Sequence, residues 1–164
     1  MLFRSARRLD QHLVALVGLA FGAVAIGWLI GVGLDTLFGG SRYAYDPSNR
    51  TWDVASFLPN AVLGLLLWLA AWWRVTAHRL ADPPAEAASG IRRAYVLVVL
   101  GVAVASSVVA AAFILYRTFS TLLAVAGGPG VISEISAAAG ALLVGVTVAV
   151  WHGLLLRDDS RVGT

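Results

Sequence analysis

The chain has 164 residues and no cysteine; 59% of its residues are hydrophobic, 13% are charged, and its mean hydropathy is +0.82. This composition lies outside the range of ordinary soluble domains. The lack of cysteine excludes disulfides, thiolate metal sites and cysteine nucleophiles. The formal charge is +3, and all 12 basic residues are arginine. Because such a charge suits loops beside anionic lipid headgroups, we expect a lipid bilayer as the partner and no nucleic acid.

Four apolar runs dominate the sequence, at residues 13–38, 54–77, 94–116 and 135–156. Each run is as long as the roughly 20 residues that a helix needs to cross a hydrocarbon core of about 30 Å. A spanning segment must satisfy its backbone hydrogen bonds internally, so each run is predicted to be a helix. The sequence therefore predicts an all-α fold, an integral membrane four-helix bundle that forms a single membrane domain over residues 1–164.

The first run follows Arg4, Arg7 and Arg8, which resemble the charged start of a secretory signal peptide. Its apolar stretch is longer than the core of about 7–15 residues in a signal peptide, so we interpret it as a permanent helix. Within it, Gly18 and Gly22 form a Gly-x-x-x-Gly step, a spacing that lets two membrane helices approach closely. We expect this step at a helix contact; a general tolerance of membrane helices for glycine is the other interpretation.

The second run ends in Trp68, Trp72 and Trp73, and Trp151 occupies the corresponding part of the fourth run. Tryptophan is enriched at the membrane–water interface, so an aromatic belt is the first interpretation. A quinone or pigment packed against these rings is the alternative.

His12 lies at the start of the first run and His152 near the end of the fourth, each about one helical turn from an arginine and so just inside the predicted cytoplasmic boundary. They are therefore predicted to lie at a similar depth on the same side of the membrane. Imidazole can bind haem iron or transfer protons, whereas an interfacial histidine often only contacts a headgroup or a carbonyl. No cofactor is predicted outright. Haem, a quinone or a pigment are the candidates for a site formed by these histidines and the four tryptophans.

Asp35 is the only acidic residue in the first run, and Arg117 ends the third run at a comparable level. Burying a charge near the end of a span costs less than burying it at the midplane. We predict an ion pair between Asp35 and Arg117 that ties the two halves of the chain together. The alternative is that both side chains simply reach water.

The fourth run carries small residues at four-residue spacing, which keeps them near one helix face. They are Ala137, Ala141, Gly145, Ala149 and Gly153. In lipid, close backbone approach drives helix association more than the burial of large apolar side chains does. We therefore predict that this stripe lies at a tight helix contact.

The two halves of the chain, residues 1–82 and 90–160, resemble each other. Arg7 and Arg92 each begin an Arg-Arg pair before an apolar run, with an offset of 85 residues. Each half would form one helical hairpin. Because each half has two spans, this predicts a parallel internal repeat related by an axis along the membrane normal.

The third run begins with Arg-Arg-Ala-Tyr-Val-Leu-Val (residues 92–98), and the fourth ends with Val-Trp-His-Gly-Leu-Leu-Leu-Arg-Asp (residues 150–158). With these motifs the chain resembles an uncharacterised bacterial family of small multi-span membrane proteins, which have an Arg-x-Tyr start and a Trp-His finish. The likeness covers mainly the second half, since the first half has Leu-Asp in the place of Ala-Tyr. The resemblance implies a fold of helical hairpins and no established reaction.

Most arginines flank the two chain termini and the segment between the second and third runs. Arginine-rich segments near spans remain in the cytoplasm. Both termini are therefore predicted to be cytoplasmic, in a multi-pass protein of the bacterial inner membrane.

The sequence contains no P-loop, no Gly-x-Ser-x-Gly and no His-Glu-x-x-His motif, so no enzymatic activity is predicted. The first functional hypothesis is a non-catalytic accessory or scaffold subunit of a larger membrane complex, with other membrane subunits or further copies of the chain as partners. The second is a redox-linked subunit that binds haem, a quinone or a pigment. The third is a small oligomeric transporter or channel.

Overall fold

The computed structural model describes residues 2–40, 47–81, 89–123 and 130–162. Its four helices are α1 (Leu2–Leu37), α2 (Pro47–Ala81), α3 (Gly90–Leu122) and α4 (Val131–Val162). No strand occurs in the described ranges. The predicted all-α fold of four helices is confirmed.

All four helices are long and apolar enough to cross a membrane. The qualifying segments are Leu9–Leu37, Ser48–Ala77, Gly90–Leu122 and Val131–Arg161, each of 29 to 33 residues. At about 1.5 Å of rise per residue, such segments exceed a hydrocarbon core of about 30 Å, so their ends extend into the interfacial layers. The helices are longer than the predicted apolar runs because helical hydrogen bonding continues through the polar flanks. The chain is a multi-pass membrane protein.

Successive helices run antiparallel, so α1 begins and α4 finishes at the same end of the bundle, which we call the terminal end; the opposite end is the loop end. α1 packs extensively on α2 and on α4, α3 packs on α4, and α1 touches α3 only slightly. Among the described residues, the backbone of α2 does not come close to the backbone of α3 or α4. The order across the bundle is therefore α2, α1, α4, α3, with α1 and α4 in the middle.

Glycine brings α1 and α2 together. Gly64 of α2 lies against Gly18 and Gly22 of α1, and a Cβ atom on Gly64 would lie 2.8 Å from the Gly18 oxygen and 2.7 Å from the Gly22 Cα. Because these neighbours are backbone atoms, they cannot move aside as a flexible side chain would. The structure thus places the Gly18–Gly22 step at the contact between α1 and α2.

The crossing of α1 and α4 is equally close. A Cβ atom on Gly140 would collide with the Gly27 oxygen and would lie 2.8 Å from the Gly31 nitrogen. A Cβ atom on Gly31 would in turn lie 3.0 Å from the Ala137 Cα, and Ala141 lies against Gly27. The first two members of the small-residue stripe therefore face α1.

Gly145, the next member of the stripe, faces α3 instead. A Cβ atom on Gly145 would lie 3.2 Å from the Ala103 oxygen and 2.5 Å from the Ser107 hydroxyl, which donates to the Ala103 carbonyl at 2.8 Å. Nothing lies within 4 Å of a Cβ position on Gly153. The stripe is divided between two neighbours because α4 lies between α1 and α3, and its last member stands in open space.

Candidate functional site

Four aromatic rings, one from each helix, meet at the terminal end of the bundle. Tyr95 of α3 contacts the other three: its ring centroid lies 5.4 Å from that of His12, 6.3 Å from that of Trp72 and 5.9 Å from that of His152. Trp72 and His152 also meet edge-on, with centroids 6.4 Å apart. Edge-on and tilted ring pairs are favourable because they avoid the repulsion of directly stacked faces. We refer to His12, Trp72, Tyr95 and His152 as the ring cluster.

Three of the four rings in the ring cluster are buried, and Trp72 is half-buried. His12, Tyr95 and His152 expose only 4%, 6% and 1% of their surfaces. Small and branched residues surround the cluster: Ala15, Ala71, Val96 and Val99. Bulky rings thus fill the space between the helices at the terminal end, whereas glycines bring the helices together farther along.

A buried ion pair closes the cluster on the terminal side. The Arg92 Nε lies 2.8 Å from Asp159 Oδ2, and Nη2 donates to Oδ1 at 3.3 Å. The two bonds form the bidentate arrangement that favours arginine over lysine. The Arg92 guanidinium also lies over the Trp72 ring, 5.8 Å from its centroid, in a cation–π contact. One side chain therefore links the start of α3 to the end of α4 and to α2.

His152 is oriented by its own helix. Its Nδ1 lies 2.9 Å from the Val148 carbonyl oxygen. A carbonyl oxygen can only accept, so Nδ1 carries the hydrogen, and Nε2 of the neutral ring keeps a lone pair. Nε2 is buried and has no hydrogen-bond partner in the described part of the chain. Since a buried acceptor without a donor is costly, this atom marks a position where a donor would be favourable.

Trp68 extends the ring cluster along α2. Its ring stacks on Trp72, with centroids 6.1 Å apart and planes 15° from parallel. Its indole N–H faces the Tyr95 hydroxyl, but the two groups do not reach hydrogen-bonding geometry. The terminal end thus contains polar atoms of Trp68, Tyr95 and His152 that no described protein group satisfies.

An apolar cavity of about 360 Å³ extends from this site along the bundle. It is walled by α1, α2 and α4, and His152, Trp68 and Trp151 lie at its terminal end. The cavity exists because α2 and α4 both pack closely on α1, whereas their backbones do not approach each other among the described residues. We call it the His152 cavity.

A second apolar cavity of about 450 Å³ lies between α1, α3 and α4. Its lining includes Trp28 and Ser106, and no titratable side chain among the described residues borders it. The two cavities flank α1, but only the His152 cavity contains an imidazole.

At the loop end, the structure corrects the predicted pair between Asp35 and Arg117. Arg117 instead pairs with Glu134, with its Nε 2.5 Å from Oε2. Glu134 stands in the first turn of α4, beside the end of α3, whereas Asp35 lies on α1, which barely touches α3. Asp35 is 2% exposed, and its carboxylate packs against the backbone of Gly40. Within the described residues that carboxylate has no hydrogen-bond partner.

Comparison with known families now adds a second line of evidence. The model of DUF5671, a domain of unknown function, matches residues 8–148. The chain belongs to the DUF5671 family. Membership in an uncharacterised family is thereby confirmed, and the DUF5671 match includes most of the first hairpin as well as most of the second. None of the curated proteins and none of the solved structures compared with the chain matches it.

The DUF5671 match includes much of the site and ends within α4. Arg92 and Tyr95, from the Arg-Arg-Ala-Tyr motif, lie inside the matched range, whereas the Trp-His motif at residues 151 and 152 follows it. The structure nevertheless brings both motifs together, because Tyr95 contacts His152.

The predicted cofactor residues of this DUF5671 protein separate into two groups. His12, His152, Trp72 and Trp68 meet at the terminal end, and Trp151 borders the His152 cavity. Trp73 is 79% exposed and takes no part in the site. Its position one residue after Trp72 rotates it by about 100° around the helix.

Arg92, Tyr95 and Asp159 belong to the site although sequence reasoning had not singled them out as site residues. Arg92 served only as evidence for topology and repeat, and Tyr95 only as part of a family motif. No local sequence pattern indicates that Arg92 is buried, because its partner Asp159 lies 67 positions away in the sequence. Gly64 and Gly140 were likewise missed as contact residues, since neither belongs to a Gly-x-x-x-Gly step.

Proposed function

We propose that this DUF5671 protein is a non-catalytic accessory or scaffold subunit of a larger membrane complex. The observation that carries the proposal is an uncovered small-residue step on α3. Gly101 and Ala105 are both exposed, and nothing lies within 4 Å of a Cβ position on Gly101. Inside the bundle, glycines such as Gly18 and Gly64 lie against a neighbouring helix. We therefore expect a helix of another chain to pack on the Gly101–Ala105 step.

The position of α3 supports the same proposal. α3 packs on α4 and only slightly on α1, so most of its surface faces outward. Beside the uncovered step, Val102, Val108 and Val109 are 63%, 62% and 69% exposed. Branched side chains on a helix are restricted at χ1, so this surface loses little side-chain entropy when a partner packs on it. Another subunit or a second copy of the chain would both fit.

The redox-linked subunit is a second candidate, favoured by the His152 cavity. An elongated apolar ligand suits this cavity, because one end carries an imidazole and the remainder is apolar. Haem receives less support, because the Tyr95 ring packs against both His12 and His152, where a haem plane would need room.

The transporter or channel hypothesis receives the least support. The described ionisable residues lie toward the helix ends, as Arg92 does at the terminal end and as Asp35, Arg117 and Glu134 do at the loop end. Transport pathways for ions and protons usually include ionisable groups near the midplane.

We further propose that the two hairpins arose by duplication. Gly18 meets Gly64 in the first hairpin, and Ala103, 85 positions after Gly18, meets Gly145 in the second. This is the offset that separates the two Arg-Arg pairs. The packing of the hairpins on each other gives no support to an axis along the membrane normal, because the close backbone packing of α1 on α4 has no counterpart between α2 and α3 among the described residues.

For location, we propose the bacterial inner membrane with both termini in the cytoplasm. The support is the concentration of arginine around the termini and between the second and third spans. An even number of spans is consistent with both termini on one side.

Replacing Gly101 by leucine is expected to release the partner. The large side chain would hold a neighbouring helix away from the α3 backbone, and the recovery of co-purifying membrane protein should fall about tenfold, since one tenfold step in affinity corresponds to ~1.4 kcal/mol. The measurement is native mass spectrometry of tagged protein extracted from its own membranes in lipid nanodiscs.

Gly33→Leu provides the matched control. Gly33 is an exposed glycine on α1 whose Cβ position also has nothing within 4 Å, so this variant should keep the partner. Recovery of the unaltered protein as a lone monomer, or full retention of the partner by Gly101→Leu, would contradict the proposal.

A further inference from the structure

The His152 cavity has the form of a ligand site with one polar end. We propose that it binds an isoprenoid quinol, which is a flat aromatic diol on a branched apolar chain, and that one quinol hydroxyl donates to His152 Nε2. This deepens the second candidate, the redox-linked subunit, by naming the ligand and its oxidation state, and it does not rest on the proposed role as an accessory subunit. It also makes no use of the uncovered face on α3.

The shape of the cavity suits an elongated molecule. Along α1 it runs from Gly18 to Ile30, which corresponds to roughly 18 Å at about 1.5 Å per residue. Its volume of about 360 Å³ falls within the range of roughly 300–1,000 Å³ typical of small-molecule sites. A quinol head with its first isoprenoid units would occupy such a space.

His152, the imidazole among the described residues that line the cavity, carries an unsatisfied acceptor. Nδ1 of His152 donates to the Val148 carbonyl, which leaves the neutral ring with an acceptor at Nε2. His152 exposes only 1% of its surface. Its Nε2 has no hydrogen-bond partner in the part of the chain that the structure describes. A hydroxyl supplies the donor that this atom lacks.

The walls at the same end are flat and aromatic. Trp68 and Trp151 both line the cavity beside His152, and Trp68 is held in place by its stack on Trp72. Rings of this size pack well against another planar ring, which they can meet stacked or edge-on. This favours an aromatic diol over an alcohol with a simple alkyl head.

The rest of the cavity suits the chain of the ligand. Ile26, Ile30 and Val144 line it, and no charged side chain among the described residues does so. Leu65 and Leu143 border the cavity on α2 and α4 and are exposed. The cavity therefore opens between these helices toward the surrounding lipid, the phase from which an isoprenoid quinol would enter.

The acceptor at Nε2 should give the site a higher affinity for the reduced ligand than for the oxidised one. A quinol can donate to Nε2, whereas a quinone has only carbonyl acceptors and leaves Nε2 unsatisfied. Leaving a buried acceptor without a partner costs ~1–3 kcal/mol, so the quinol should bind about tenfold more tightly than the quinone. An ordered water bound to Nε2 would instead give the two forms equal affinity.

The test is a ligand titration of the full chain purified in detergent without oxygen. The thermal unfolding midpoint is followed against a short-chain isoprenoid quinol, the matching quinone, and an isoprenoid hydrocarbon without a head group. A ligand that binds the folded state raises the midpoint in a saturable way. We expect a saturable rise with the quinol at about one-tenth of the quinone concentration, and none with the hydrocarbon.

Two substitutions at one position identify the acceptor. His152→Leu should lower the affinity for quinol to that for quinone, whereas His152→Gln, which keeps an acceptor, should retain most of the preference. His12→Leu is the matched control, because His12 is a buried imidazole of the ring cluster that does not line the cavity. This variant should keep the preference.

Three results would overturn the proposal: equal responses to quinol and quinone, an equal response to the hydrocarbon, or a preference for quinol that persists in His152→Leu. If His152→Leu does not fold, the comparison of the three ligands on the unaltered protein still decides. Because the purified chain is used alone, loss of ligand binding and loss of a protein partner are separate outcomes.

Discussion

Replacing Gly140 by alanine is expected to separate α1 from α4 and to lower the free energy of unfolding by about 2 kcal/mol. The new methyl group would collide with the backbone oxygen of Gly27 and approach the Gly31 nitrogen, and overpacking of this kind costs up to ~3 kcal/mol. The higher helix propensity of alanine returns ~1 kcal/mol. The measurement is unfolding by SDS titration in mixed micelles.

Gly153→Ala is the control for this prediction. Gly153 lies on the same helix, but nothing is within 4 Å of its Cβ position, so only the gain in helix propensity remains. This variant should be unchanged or up to ~1 kcal/mol more stable. Equal behaviour of the two variants would show that Gly140 is not at a close helix crossing.

Replacing Arg92 by methionine is expected to have a still larger effect. Methionine keeps much of the side-chain volume but removes the guanidinium that binds Asp159 at two positions and covers Trp72. Removing one partner of a buried ion pair costs ~3–5 kcal/mol. Because the Asp159 side chain is 15% exposed, water can reach it in part, and a loss of about 3 kcal/mol is expected. The same SDS titration measures it.

The neighbouring arginine supplies the control. Arg93 is exposed, so Arg93→Met should change stability by less than about 0.5 kcal/mol. In a double-mutant cycle, Arg92→Met combined with Asp159→Leu should lose clearly less than the sum of the two single changes. Strict additivity would mean that the ion pair contributes nothing to the fold.

The number and type of the helices could be predicted from the sequence because the bilayer imposes them. A run such as residues 94–116 must be helical to satisfy its backbone, whatever it packs against. The bounds differed because arginine flanks, such as Arg92 and Arg93 before this run, remain helical in the interfacial layer. Run length therefore indicated spans reliably and helix ends only approximately.

The order of the helices could not be predicted in this way. In lipid an apolar side chain gains nothing by facing another helix, so hydrophobic periodicity does not identify the inner faces. Gly18 and Gly22 indicated a contact but not its partner, which is Gly64. The stripe from Ala137 to Gly153 predicted one contact face, whereas α4 uses it for two helices. Such assignments depend on tertiary packing that no local pattern contains.

The site could be predicted only in part, because contacts between helices depend on tertiary packing. His12 and His152 were placed at one depth by their distance from the helix ends, and the structure brings both to Tyr95. Depth does not specify which partners face each other across the bundle. The expectation that Asp35 would meet Arg117 failed on this point, since the two residues share a level but lie on helices that barely touch.

The central structural claim is that α1 and α4 form the middle of the bundle while the backbones of α2 and α3 lie apart. The chain has no native cysteine, so any disulfide that forms must join two introduced cysteines. The Cβ position of Gly27 lies 3.6 Å from the Ala141 Cα, so these adjoining positions are the ones to test for a disulfide, which needs closely spaced backbones. Leu67 and Gly101, on α2 and α3, form the comparison pair.

The decisive measurement is oxidative cross-linking in native membranes, followed by cleavage at a protease site inserted between Ala81 and Ser89. With cysteines at positions 27 and 141, the two halves should remain joined on a non-reducing gel and separate on reduction. With cysteines at positions 67 and 101, they should separate under both conditions. Cross-linking of the second pair, or none of the first, would contradict the arrangement on which the His152 cavity and the ring cluster depend.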